Sequence, residues 1–172
     1  MLDRVMEDAI NSQANAELYS GYLYLSMSAY LSSIDMPGAA HWMRCQAEEE
    51  LVHAMKFLDY VVERGGRVTL TAIEAPPLQW QSPVAVAQHT LAHERKVTGL
   101  ITDLAELATD RNDEATRSFL QWYIDEQEEE EESAEELVEK LKTAAEGAET
   151  AAAVDEELGR RPVKLVEAAK EH

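Results

Sequence analysis

The sequence has little cysteine and few basic residues, and each shortage excludes a class of protein. Cys45 is the only cysteine among 172 residues, so the chain can form neither an internal disulfide nor a metal site built from several thiolates. A reducing cytoplasm is the expected compartment. Lys and Arg number 15 against 34 Asp and Glu, which gives a formal net charge of -19. Because such a surface repels phosphate backbones, cations are expected partners and nucleic acid is not.

Long apolar runs are also missing. No run approaches the length that spans a membrane, and charged residues interrupt the first ten positions, where a signal peptide needs an apolar core. We therefore expect an intracellular protein with no membrane partner. The apolar share of 45% and the length of 172 residues are ordinary for one globular domain with a core of its own.

Glycine and proline are scarce, at seven and five residues, and they cluster where helices are expected to begin or end. Pro37-Gly38 and Gly65-Gly66 end the first and second helices, and Ser82-Pro83 begins the third. An extended stretch with Pro76 and Pro77 separates the second helix from the third. The expected helices cover about residues 3–32, 37–64, 83–110, 113–145 and 148–158.

This order of elements predicts an all-α fold. Four long helices with one long crossover, between the second and third, are typical of a crossover-type four-helix bundle, here with a short fifth C-terminal helix. The expected domain spans residues 1–159. A basic C-terminal tail, residues 160–172, is expected to be loosely held.

Each long helix carries a carboxylate within its apolar seam, close to its midpoint. The seams follow steps of three and four residues, which face a bundle partner. In the third helix the seam is predicted to be Val84, Ala87, Leu91, Glu94, Thr98, Ile101 and Ala105. The acidic seam residues of the four helices are Glu17, Glu50, Glu94 and Glu130.

Midpoints of helices that run up and down share one level, so these four carboxylates should converge. Burying them without a counter-charge is costly, and no Lys or Arg lies nearby on the seams. His53 lies one turn from Glu50 and adds a nitrogen ligand. An isolated Glu-x-x-His pair is usually solvated, but four coincident seam carboxylates argue against that reading. Oxygen ligands with one imidazole suit iron or manganese better than structural zinc.

Non-haem ferritins of bacteria and archaea resemble this sequence in one stretch of each long helix. The stretches are NAELYSGYLYLSMSAYL, WMRCQAEEELVHAMKFLDYVVERGG, HERKVT and FLQWYIDEQEEEE. The resemblance covers about residues 3–159. It implies a di-iron ferroxidase centre inside the bundle, a scheme for which ferritin-like proteins are the standard example.

The resemblance also implies the site residues. Glu17, Glu50 and His53 match the ligands of one iron, and Glu94, Gln127 and Glu130 match the surroundings of the second. Glu49, Glu126 and Glu129 match a third iron site found in many prokaryotic members. Tyr24 matches the tyrosine that neighbours the centre and is expected to take part in its chemistry, and Trp122 matches a tryptophan close by. In the acidic run of the fourth helix, Glu128, Glu131 and Glu132 remain for solvent or a mineral cavity.

Differences between this sequence and other ferritin-like proteins limit which group of them it resembles. Haem-binding bacterioferritins repeat Glu-x-x-His in the fourth helix, where this chain has Gln127 and Glu130, and carry a haem-ligating Met where this chain has Val52. Haem is therefore not expected. One cysteine cannot build the iron domain of rubrerythrins, and the acidic balance differs from that of the small DNA-protecting relatives.

The resemblance implies an iron-storage protein with ferroxidase activity. Such a protein oxidises Fe(II) with O2 or H2O2 and stores Fe(III) as mineral inside a homo-oligomeric shell, of twenty-four subunits in this family. A non-catalytic shell or scaffold that binds divalent metal is the alternative. A helical adaptor without metal is a third possibility.

Overall fold

Five helices make up the fold of the residues that the structure describes. The computed structural model describes residues 2–147 and 149–163, and it contains no strand within these ranges. The helices are α1 (Arg4–Ser33), α2 (Pro37–Glu63), α3 (Pro83–Asp110), α4 (Glu114–Ala145) and α5 (Ala151–Leu158). The all-α prediction is confirmed, as is the long connection between α2 and α3. Across the described residues no helix combines the length and apolarity needed to cross a membrane.

The helix ends follow local chemistry. Gly65 after α2 has φ 70°, a left-handed conformation that glycine adopts without strain, and Gly66 N–H donates to Val61 O at 2.8 Å. Ser82 caps α3 by accepting from Ala85 N–H at 3.1 Å. The fifth helix begins at Ala151 rather than Ala148, because Thr150 is extended and its side chain accepts the N–H of Ala153.

The connection between α2 and α3 runs along α1 and is held there by polar side chains of that helix. Asn11 donates from Nδ2 to Arg67 O at 3.0 Å and accepts from Thr69 N–H at 2.8 Å. Further along α1, Ser26 Oγ donates to Pro77 O at 2.6 Å. These bonds replace the water contacts of an extended backbone and place the third helix beside the first.

Two hydrophobic clusters fill the two ends of the bundle. One contains Tyr24, Met27 and Leu31 of α1 with the first half of α2, the end of α4 and α5. The other contains the beginning of α1 and α4 with the ends of α2 and α3, and it includes Phe57 and Tyr123. Buried polar side chains lie at the level between the two clusters. The bundle therefore encloses a layer of buried polar side chains between two apolar clusters.

The predicted seam of α3 is only partly right. Ala87, Glu94 and Ile101 are buried as expected, but Val84, Leu91, Thr98 and Ala105 are half-buried. The remaining buried positions of α3 are Val86, Thr90, His93, Val97, Leu104 and Ala108. The reason is that α3 packs against both α1 and α4, so its buried stripe is wider than a seam facing one partner.

The C-terminal tail was expected to begin at residue 160. Residues 160–163 are described, and Arg161 among them packs against α2 through its side chain. The rest of the tail, residues 164–172, lies outside the described residues.

Candidate metal centre

The four seam carboxylates lie at one level of the bundle and are buried. Glu17, Glu50, Glu94 and Glu130 are each at most 3% exposed, although a carboxylate is among the groups least often found inside a protein. His53 is also buried, at 3% exposed. The helical spacing that defines each seam explains the position of each side chain, and the packing of the helices against one another brings them together.

Glu17, Glu50 and His53 form one group. Their potential ligand atoms lie within 4.8 Å of one another, a spacing that one metal ion can bridge. His53 Nδ1 is 3.2 Å from Glu50 Oε2, and Gln13 Nε2 donates to Glu17 Oε1 at 2.8 Å. Each of the two carboxylates therefore has one oxygen held by a neighbour and one directed elsewhere.

Glu94 lies on the far side, between α1 and α4. Its Oε1 accepts a short hydrogen bond from the Tyr24 hydroxyl, and its Oε2 is 3.2 Å from Gln127 Nε2. Gln127 Nε2 is also 3.2 Å from Thr98 Oγ1. Tyr24 and Gln127 thus fix the orientation of the Glu94 carboxyl, and Gln127 leaves its own carbonyl oxygen available as a ligand.

Glu130 belongs to a second group, with His53 and Glu126, whose potential ligand atoms also lie within 4.8 Å of one another. Gln46 Nε2 donates to Glu130 Oε2 at 2.7 Å. Glu126 Oε1 is 3.8 Å from His53 Nε2, on the opposite edge of the ring from Glu50. A carboxylate at the second nitrogen of an imidazole orients the ring and makes its other nitrogen a better ligand.

Three carboxylate oxygens of this layer have no hydrogen-bond partner among the described residues. They are Glu17 Oε2, Glu50 Oε1 and Glu130 Oε1, and all three are buried. A buried carboxylate oxygen without a donor is costly, and a cation removes that cost. Because the orphaned atoms are hard oxygen donors on three different helices, the site fits hard, multiply charged cations such as those of iron.

The pKa values of the titratable groups in the layer also reflect its excess of buried negative charge. Burial, with repulsion from other carboxylates of the layer, raises the pKa of Glu50 and Glu130 and raises that of Glu94 to about 8. Burial would lower the pKa of His53, but the neighbouring Glu126 and Glu50 raise it well above its usual value. In the absence of metal, protons therefore neutralise part of the layer, and an arriving cation has to displace them.

Aromatic side chains close the site on the His53 side. Tyr123 donates its hydroxyl to the backbone carbonyl of His53 at 2.8 Å. The Trp122 ring lies edge-on to the imidazole at 5.4 Å, and Lys56 Nζ lies 3.3 Å above that indole. These contacts hold the histidine in one orientation and limit the access of water to it.

Comparison with known proteins identifies the family. A model of the ferritin-like domain matches residues 7–144. The chain belongs to the ferritin family. It is 38% identical over 161 residues to the bacterial non-heme ferritin of Bacteroides fragilis, covering 94% of this chain and 100% of that protein. For the bacterial non-heme ferritin of Escherichia coli O6:H1 the identity is 37% over 158 residues, covering 92% and 96%. An open pore ferritin of Archaeoglobus fulgidus is 49% identical and superposes with a TM-score of 0.91, over 94% of this chain and 100% of that one.

The three residues that the ferritin resemblance associates with a third iron are not all buried, unlike the carboxylates of the layer. Glu129 is exposed and Glu126 half-buried. Glu49 is buried, but both of its oxygens are 3.2 Å from an Arg161 nitrogen. The structure therefore places a cation of the chain itself, the Arg161 guanidinium, at this edge of the buried layer.

Three residues that contact the layer were not predicted. Gln46 lies one turn before Glu50 in the seam of α2, and a polar residue at that seam position could have indicated a contact with the layer. His93 accepts or donates a 2.8 Å bond with Ser20 and is adjacent to Glu94 in sequence; burial lowers its pKa to about 4, so it is neutral. No sequence pattern points to Arg161, because its contacts with α2 are made across more than a hundred residues.

Proposed function

We propose that this ferritin is a ferroxidase that stores iron. Two Fe(II) ions bind at the buried layer, one at Glu17, Glu50 and His53 and the other at Glu94, Glu130 and Gln127, with Glu50 between them. Each Fe(II) gives up one electron, and O2 takes both electrons with two protons to become hydrogen peroxide. Where H2O2 is the oxidant, the same two electrons with two protons reduce it to two water molecules.

The observation that carries the proposal is the set of three buried carboxylate oxygens without a partner, beside a buried imidazole. Carboxylates favour the harder Fe(III) over Fe(II), so this ligand set makes oxidation more favourable. The Tyr24 hydroxyl and Gln127 hold Glu94 in place while metal binds. The family and its bacterial non-heme relatives support iron storage without haem.

Storage as a mineral requires a closed space, and we propose that copies of this chain assemble into a shell of twenty-four in the cytoplasm. Large apolar side chains remain exposed in stripes on neighbouring helices, Tyr22 and Leu25 on α1 and Leu51 and Met55 on α2. Exposed apolar side chains at helical spacing on two adjacent helices are typical of a surface that another copy covers.

The test is aerobic addition of Fe(II) to the metal-free protein, followed by the absorbance of the ferric product. Glu50→Gln and His53→Ala should each slow the initial rate by tenfold or more (roughly 1.4 kcal/mol) because each removes a ligand inside the layer. The control is Glu128→Gln, which removes one exposed carboxylate on α4, outside the buried layer, and should oxidise iron like the parent.

Equal initial rates in the parent and in both ligand variants would overturn the ferroxidase proposal. Anaerobic binding of Fe(II), measured by calorimetry on the same proteins, separates the alternative. If the parent binds two Fe(II) per chain and the ligand variants do not, yet no variant differs in oxidation, the chain is a metal-binding shell without catalysis.

A further inference from the structure

Arg161, the third residue after α5, places its guanidinium against the edge of the metal centre. One of its terminal nitrogens is 3.2 Å from each oxygen of Glu49 and also donates to Gln46 Oε1. The other donates to Trp42 O at 3.3 Å, and the guanidinium carbon lies 4.2 Å from the centre of the Trp42 ring. The Arg161 side chain is 15% exposed and that of Glu49 is 6% exposed, so this is a largely desolvated ion pair.

The position of Arg161 follows from how α5 is fastened to the beginning of α2. Asp155 of α5 accepts from the backbone N–H groups of Gly38 and Ala39, at 2.9 and 2.8 Å. A carboxylate at a helix N-terminus satisfies donors that the helix leaves open. A Cβ on Gly38 would lie 1.7 Å from Asp155 O, so only glycine permits this approach. His41 Nε2 then donates to Arg161 O at 2.9 Å, one turn further along α2.

The contacts of Arg161 connect the end of α5 with a buried ligand. Gln46 accepts from Arg161 through its Oε1 and donates through its Nε2 to Glu130 Oε2. Trp42, Gln46 and Glu49 lie on one face of α2, at steps of four and three residues. A single side chain from beyond α5 thus touches both Glu49 directly and Glu130 through one amide.

We propose that Arg161 is a positioning residue that acts as an internal counter-cation for Glu49, and that it thereby limits metal binding at the outer edge of the centre. The inference rests on the proposed function, since it concerns a metal ion beyond the pair held by Glu17, Glu50 and Glu94. A cation that uses Glu49 as a ligand has to displace a guanidinium that contacts both of its oxygens. Because the pair is nearly buried, displacement removes strong charge-assisted bonds.

The geometry at this edge of the centre agrees with this role. The guanidinium lies 3.2 Å from both oxygens of Glu49 and is linked to Glu130 through Gln46. The guanidinium therefore compensates, at this edge, the negative charge that a metal ion would otherwise compensate. Arginine suits the position because its planar fork contacts a carboxylate, an amide oxygen and a carbonyl at once while its face lies on an indole, which an ammonium cannot do.

The test is calorimetric titration of the metal-free, assembled protein with Zn²⁺, a probe that cannot be oxidised. We expect the parent to bind two ions tightly and a third weakly. In Arg161→Ala the affinity for the third ion should rise roughly tenfold or more, because Glu49 is no longer paired with a guanidinium that the ion must displace. Arg161→Lys, which keeps the charge without the fork, should lie between the two.

Two controls separate this role from a merely structural one. Arg160→Ala removes the neighbouring arginine, which pairs with Glu156 on the exposed surface at 2.6 Å, and should bind Zn²⁺ like the parent. In a Glu49→Gln background, Arg161→Ala should no longer change the affinity for the third ion. Gel filtration confirms that every variant is assembled.

An unchanged or lower third-ion affinity in Arg161→Ala would overturn the inference, and so would the same gain in the Glu49→Gln background. These results are distinct from a failure of the proposed function. Failure of the ferroxidase proposal would appear in the rates of Fe(II) oxidation, and failure of the two-ion site would appear in the first two Zn²⁺ ions, which the parent and Arg161→Ala should both bind and which Glu50→Gln should lose.

Discussion

Metal binding by this ferritin should release protons, and the amount can be worked out from the buried layer. Burial and repulsion from Glu130 raise the pKa of Glu94 to about 8, so at pH 7 about ninety per cent of this carboxyl is protonated without metal. The pKa values of Glu50, Glu130 and His53 are raised as well. A cation that uses these groups as ligands has to displace their protons.

The pH dependence of metal affinity follows. For Glu94 alone, the deprotonated fraction rises from about one in a hundred at pH 6 to about one half at pH 8, so the affinity should rise roughly fiftyfold over this range. Protons lost from Glu50, Glu130 and His53 make the dependence steeper. The affinity of an exposed carboxylate cluster would hardly change in this range, because its groups are already ionised.

The assay is calorimetry with Zn²⁺ at several pH values, in pairs of buffers that differ in protonation enthalpy, which counts the protons released. Glu94→Gln should bind more weakly and with a shallower pH dependence, since one displaced proton is gone. Glu128→Gln, the exposed control on α4, should keep the full dependence. The reasoning is refuted if the parent binds Zn²⁺ without releasing protons, or if its affinity is the same at about pH 6 and pH 8.

Three further predictions concern stability. First, the pKa values of Glu94 and His53 are higher in the folded protein than in the unfolded chain, so these groups stabilise the metal-free fold at low pH, and that contribution is lost as pH rises through the folded-state pKa values. The melting temperature of the metal-free protein should therefore fall from mildly acidic pH up to and beyond about pH 8. A rise in melting temperature over this range would contradict this prediction. Second, Gly38→Ala should cost about 1–3 kcal/mol in urea unfolding, because the new Cβ meets Asp155 O, whereas Gly99→Ala on α3, where a Cβ meets nothing within 4 Å, should gain about 0.5–1 kcal/mol; equal effects would refute the close approach. Third, Asp113→Ala should cost about 1–2 kcal/mol, since Asp113 caps α4 through Thr116 N–H and pairs with Arg64 at 3.1 Å, and an unchanged unfolding midpoint would count against that cap.

Much of the architecture could be predicted because the relevant interactions are local. Gly65 and Ser82-Pro83 mark helix boundaries through conformations of one or two residues, and the predicted ends of α2 and α3 agree with the structure. The positions of Glu17, Glu50, Glu94 and Glu130 on the inner faces follow from spacing along each helix alone. The fifth helix was less accurate, since its beginning depends on the cap made by Thr150.

Other features of the site depend on contacts that spacing cannot show. The buried stripe of α3 includes His93 and Val97 because that helix packs against two neighbours, which is a property of the assembled bundle. The exposure of Glu129 and the burial of Glu49 likewise depend on which helix or tail covers each position.

The sequence by itself determined that carboxylates and one imidazole face a common interior, because helical periodicity places every side chain relative to its own helix axis. Only the tertiary structure decided which charges meet there. Arg161 reaches Glu49 across 112 residues of chain because Asp155 and Gly38 fasten α5 to the beginning of α2. Electrostatic balance in a buried site depends on distances between helices, and these are set by packing rather than by spacing along the chain.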